Sequence, residues 1–189
     1  MRTKLLFILS LTILTGYSSL FAQGFTPPAE GKAVVYFTRV TAFGGGVSFE
    51  YFHNDKFIGI FKGKNYMRYE CDPGKQLLWA STENKEFVSA ELEAGKTYIV
   101  LVNVIMGAWK ARVGLSPITE KNGEDFERAK ALILSEAPVV TPEAKIEKTN
   151  EKLKDFIANM LERYENEWKG GGNDNPLTPD MAISEEAMK

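Results

Sequence analysis

Only one cysteine, Cys71, and one histidine, His53, occur in the 189-residue chain. A lone cysteine excludes any disulfide within the chain, so the fold must rest on packing and hydrogen bonds. One histidine and one cysteine are too few for a zinc site, and no carboxylates fall at the spacing of a calcium loop. Asp174, Asn175 and Asp180 come nearest, but their spacing fits no such loop, and no cofactor is expected. Excess positive charge is missing too. With 23 Lys and Arg against 25 Asp and Glu, the net charge is −2, and nothing in that balance suggests nucleic acid. Gly44-Gly45-Gly46 lacks the following Lys-Ser/Thr of a phosphate loop and leads into a strand pattern, so it reads as a mobile connection. No unbroken run of about 20 apolar residues is present, which argues against a stable membrane span.

The N-terminus nonetheless has a definite pattern. Arg2 and Lys4 precede an apolar stretch from Leu5 to Leu14, then small and polar residues at Gly16–Ser19, then Leu20-Phe21-Ala22. This is the layout of a secretory signal, and cleavage is expected after Ala22. No cysteine follows the apolar run, so a lipid-anchored variant is not indicated. What remains is enough for one domain of ordinary size. Its charge is uneven: residues 32–119 are basic in balance and residues 120–189 acidic. The hydrophobic period changes at the same place.

The first segment, residues 31–119, reads as β. Lys32–Val40 is rich in β-branched and aromatic residues, and Val47, Phe49 and Tyr51 alternate with Ser48 and Glu50. Asn54-Asp55 signals a hairpin, since both residues tolerate left-handed backbone angles. Further strand patterns follow, separated by Asp72–Lys75, Glu83–Lys85 and Glu93–Lys96. The last is residues 108–115, with Trp109, Ala111 and Val113 opposite Lys110 and Arg112. Short strands with turn residues every eight to twelve positions suggest a mainly β fold, an antiparallel β-sandwich or barrel of about seven to eight strands. We take the sandwich. Ile99–Ile105 is apolar on both faces apart from Asn103, as expected of a central strand.

The second segment, residues 120–169, reads as a two-helix extension. Phe126, Ala129, Leu132 and Ile133 form one stripe. A second helix is expected from Thr141 as N-cap and Pro142 at the first helical position, running to about Trp168. Its stripe of Ile146, Leu153, Phe156, Ile157, Met160, Leu161, Tyr164 and Trp168 must be covered by something. The sheet is the first candidate, a homodimer seam the second and a membrane surface the third. Residues 170–189, broken by Pro176 and Pro179, are expected to form a disordered tail.

The first strand with Tyr36 and Arg39, the hairpin Asn54–Gly59, the turn Pro73–Lys75 and the turn Ala94–Tyr98 together resemble a bacterial exported family, domain of unknown function 2846. The resemblance covers roughly residues 31–118. It implies a small envelope β-domain and supplies no activity and no catalytic residues.

Cys71 precedes Asp72-Pro73-Gly74-Lys75, a type II turn signature, so it should end a strand as a packing residue. A nucleophilic role would need a base, and His53 is the sole candidate. Phe49, Tyr51, Phe52, Phe57, Phe61, Tyr66, Tyr69, Trp79 and Trp109 could form a binding face, but most are needed for the core. The sequence thus points to an exported, non-enzymatic envelope interaction module, periplasmic or outer-envelope associated, with an envelope protein or glycan as partner. The alternative is a ligand-binding or carrier domain with its pocket between sheet and helices.

Overall fold

The computed structural model describes residues 25–107 and 111–189. The expected signal segment, Trp109 and Lys110 lie outside them. Among the described residues the β-rich segment forms eight strands: β1 (Ala33–Arg39), β2 (Ser48–His53), β3 (Lys56–Lys62), β4 (Asn65–Cys71), β5 (Gly74–Ser81), β6 (Lys85–Leu92), β7 (Thr97–Met106) and β8 (Ala111–Ile118). They make two four-stranded sheets, ordered β4-β1-β7-β8 and β3-β2-β5-β6. The mainly β sandwich with a helical extension is therefore the observed fold.

One pairing departs from the antiparallel expectation: β1 and β7 run parallel. All seven residues of β1 are buried, as are the first six of β7. Strands buried on both faces are the ones that tolerate parallel pairing. The Asn54-Asp55 hairpin forms as read, with Asn54 at φ 50°. The Pro73-Gly74 turn, by contrast, joins β4 of one sheet to β5 of the other. It is a corner between sheets, not a hairpin.

Two helices follow, α1 (Glu124–Ser135) and α2 (Glu143–Arg163), the second continuing into a π-helical turn, Tyr164–Trp168. They close opposite outer faces, giving a helix–sheet–sheet–helix stack with three apolar layers. Between the sheets lie Val35, Phe37, Phe49, Tyr51, Leu78, Val100 and Leu115. Outside the first sheet, α1 buries Phe126, Ala129, Leu132 and Ile133 against Val34, Tyr36, Tyr66 and Ile99. Outside the second, α2 and the π turn bury Ile157, Met160 and Tyr164 on Phe52, Phe57, Trp79 and Phe87. Phe52 and Trp79 stack there with centroids 3.8 Å apart. The sheet of its own chain thus covers the stripe of the long helix at Ile157, Met160 and Tyr164, while Ile146 and Leu161 stay half-exposed.

Thr141 is not the N-cap of α2. That position belongs to Pro142, and the Thr141 hydroxyl instead accepts the Ile60 N–H of edge strand β3 at 3.1 Å. Gly59 makes the approach feasible, since a Cβ there would stand 3.1 Å from Thr141 Oγ1 and 2.7 Å from Met67 Sδ.

The tail also corrects its expectation. Residues 173–177 lie along β6, with Phe87 N donating to Asn173 O and Leu177 N to Ser89 O. Leu177, Ile183 and Met188 are buried. Sparse apolar residues in a polar, proline-broken stretch look disordered in isolation. Here the open edge of β6 supplies the missing backbone partners.

Candidate functional site

An unpaired edge strand needs partners for its outward amides, and this requirement builds the site. On β3 the Asn150 side chain of α2 accepts Phe57 N–H at 2.8 Å and donates to Phe57 O at 3.0 Å. One amide group thus imitates a neighbouring strand. The same device closes the other sheet, where Asn84 accepts from Val113 N at 2.8 Å and donates to Val113 O at 2.7 Å.

Clipping α2 to an edge leaves a groove of about 720 Å³ between helix and strand. Buried Phe57 and Ile157 and half-buried Ile58, Ile146, Leu161 and Tyr69 line it, with exposed Lys56, Lys154, Glu143 and Glu147 among the charged residues present. An apolar cleft of this size with few polar groups is the usual form of a small-molecule site.

Tyr69 connects the groove to His53, whose Nδ1 lies 2.8 Å from the Tyr69 hydroxyl and whose Nε2 lies 2.8 Å from Gln76 Oε1. An amide oxygen only accepts, so Nε2 carries the proton and Nδ1 accepts from Tyr69. Burial holds the Tyr69 phenol well above its ordinary pKa, so it stays a donor. Gln76 also donates to Asp72 O, at 3.1 Å. The network ties the β2–β3 turn to the inter-sheet corner.

Both nitrogens of His53 are therefore occupied, and neither bonds Cys71. Cys71 ends β4 and is buried, and that burial pushes its thiol up to about 11. At neutral pH it is a protonated packing group, without the base or the positive field a nucleophile needs. The structure does not assemble the pair that a thiol enzyme would use.

Asp174, Asn175 and Asp180 do not converge on a cation. Asp174 accepts from Tyr164 Oη at 2.9 Å, from Gly170 N at 2.9 Å and from Ser89 N at 3.1 Å. Asn175 donates to Glu86 and Asp180 accepts from Thr178. No group of three potential ligands exists among the described residues. Of the aromatic candidates, Phe49, Tyr51, Phe52, Phe57, Phe61, Tyr66 and Trp79 are core and Tyr69 is half-buried.

Two roles escaped sequence reasoning. Asn150 sits in a polar helix stretch with nothing to mark it. Arg39 enters the sequence reading only as a first-strand residue of the family resemblance, yet it is fully buried, with no carboxylate partner among the described residues. Its guanidinium donates to Val47 O, Phe43 O and Gly44 O at 2.7–2.8 Å and lies over Phe49. The expected mobile connection at Gly44–Gly46 is thereby fastened to the core.

No helix among the described residues is long and apolar enough to cross a membrane. Comparison with family models, curated proteins and solved structures gives no match. The family expectation for residues 31–118 rests on its turn and strand residues alone.

Proposed function

We propose that the protein is an exported, non-enzymatic binding module of the cell envelope that holds a small, largely apolar molecule between β3 and α2. One observation carries this reading: Ile58, Ile146 and Leu161 stay half-exposed around a cleft that the same helix could have filled. Leaving apolar surface in water costs about 25 cal/mol per Å². A ligand of apolar body recovers that cost, and the mixed charges at Lys56, Lys154, Glu143 and Glu147 leave room for a polar end. Export rests on the signal-like N-terminus and on the resemblance to an envelope family.

Ala158 gives a clean test, because it is exposed, lies on the helix and lines the groove. Ala158→Trp should fill the cleft without disturbing the core. Titration with N-phenyl-1-naphthylamine should give a saturable fluorescence rise for the unaltered chain and at least a tenfold weaker one for the variant, at matched melting temperature. Equal binding by the two, or no saturable binding by either, overturns the reading.

A further inference from the structure

One end of the sandwich carries three of the five large apolar side chains that stand exposed among the described residues. The connections 40–47, 63–64 and 82–84 leave the sheets at this end, where β7 also ends at Met106 and β8 begins at Ala111. Three large apolar side chains stand out there: Phe43 at 56% exposure, Ile105 at 48% and Met106 at 66%. Exposed Lys62, Lys64 and Arg112 accompany them, and Glu83 is the exposed acid on those connections among the described residues.

These groups share one locality. A Cβ on Gly44 would lie 2.9 Å from Val104 Cγ1, which seats the 40–47 loop on the strand that ends in Ile105-Met106. A Cβ on Gly63 would lie 3.8 Å from Gly45 O, which brings the turn between Lys62 and Lys64 to the same loop. Nor is Phe43 a stray side chain on a slack loop. Buried Arg39 holds the carbonyls of Phe43, Gly44 and Val47, and Gly44 takes φ +64° to allow it. The molecule spends a desolvated guanidinium, its pKa lowered by burial, on fixing the loop that presents Phe43. At the opposite end, residues 54–56, 72–75 and 93–96 expose no large apolar side chain and balance Asp55, Asp72 and Glu93 against Lys56, Lys75 and Lys96.

We propose that this end docks on an anionic lipid surface, Phe43, Ile105 and Met106 entering the headgroup region and Lys62, Lys64 and Arg112 meeting lipid phosphates. Apolar patches of this kind mark protein or membrane contacts. Charge decides between them. The chain as a whole is acidic, at −2, yet beside these apolar tips three exposed cations, Lys62, Lys64 and Arg112, face one exposed acid, Glu83, among the described residues. Interfacial binding scales with buried apolar area plus attraction to anionic lipid, and both terms coincide here. The inference is independent of the groove between β3 and α2.

The full chain is tested with vesicles of phosphatidylglycerol and phosphatidylcholine in equal parts, against pure phosphatidylcholine. A polarity-sensitive fluorophore is placed on Met106→Cys, and in a second protein on Glu93→Cys at the opposite end. Cys71 is buried and stays unlabelled. The Met106→Cys label should shift to the blue with anionic vesicles only and lose the shift at 1 M salt, while the Glu93→Cys label stays unchanged. Phe43→Ser combined with Lys62→Glu should lower the vesicle-bound fraction at least fivefold without changing the melting temperature. Equal response of both labels, or none, overturns the proposal. So does a Met106→Cys shift produced by envelope protein and not by vesicles, which would assign the surface to a protein partner.

Discussion

The two outer faces of the sandwich are closed by helices of unequal length, and the shorter closes its face better. Over 12 residues α1 buries four apolar side chains against β1, β4 and β7, and the tail adds Ile183 and Met188 to the same layer. Over 21 residues α2 buries only Ile157 and Met160 before the π turn, and its contacts are chiefly with edge strand β3. The difference lies in what positions each helix. Apolar packing on central strands draws α1 into full contact, whereas α2 is clipped to an edge by Asn150 and by Thr141 just before it. Polar clips fix location without demanding that the neighbouring surface be filled. A groove is the consequence.

The largest expected effects compare the two helices directly. Ile133→Asp on α1 places a carboxylate in a fully buried site and should cost about 4 kcal/mol or more, enough to unfold a marginal domain. Leu161→Asp on α2 should cost less than about 1 kcal/mol, because that side chain is half-exposed at the groove and its charge stays hydrated. Urea unfolding of both variants measures the contrast. Similar costs would mean that the groove is closed in solution.

Next comes the clip itself. Asn150→Ala strands Phe57 N and O, at about 1–3 kcal/mol for an unpaired buried group. Asn84→Ala removes the matching clip from β8 and should cost a similar amount. Only Asn150→Ala should also weaken uptake of the apolar probe. If Asn84→Ala weakens it equally, general loosening explains the loss and the clip does not shape the site.

Alternation and turn residues made most of the fold legible. The buried set Phe126, Ala129, Leu132 and Ile133 follows from its spacing alone, and Cys71 ends a strand before a proline-glycine turn as read. Three features were not legible, each for a physical reason. Parallel pairing of β1 with β7 depends on which strands cross between sheets, a long-range choice that local pattern does not encode. Residues 173–177 carry no strand signal and gain order only from the edge of β6. The groove arises from two polar side chains, Thr141 and Asn150, whose partners lie 81 and 93 residues away. A pocket between sheet and helices is only an alternative reading of the sequence, and nothing local could say which strand would border it.

A smaller effect is expected inside the sandwich. Cys71→Ser puts a hydroxyl in a buried site with no hydrogen-bond partner and should cost about 1–2 kcal/mol. Probe binding should be unchanged, since Cys71 does not line the groove. A loss of binding at normal stability would reopen the thiol as a functional group.

The smallest expected effect tests how the tail is fastened beneath the π turn. Burial pushes the Asp174 carboxyl upward, but hydrogen bonds from Gly170 N, Tyr164 and Ser89 outweigh it and hold its pKa below the ordinary value. A carboxylate with a depressed folded pKa stabilises above its unfolded value, about 3.9, and that stabilisation is lost as pH falls through the lower folded value. Asp174→Asn should therefore lower stability by about 1 kcal/mol at pH 7. The difference from the unaltered chain should shrink as pH falls below about 4 and vanish only below the lower folded value, where Asp174 too is neutral. Melting temperatures of the two proteins across pH 7 to 2.5 give the comparison. If the gap persists undiminished at the acid end, the carboxylate charge is irrelevant, and residues 173–177 are held by their backbone bonds to β6 alone.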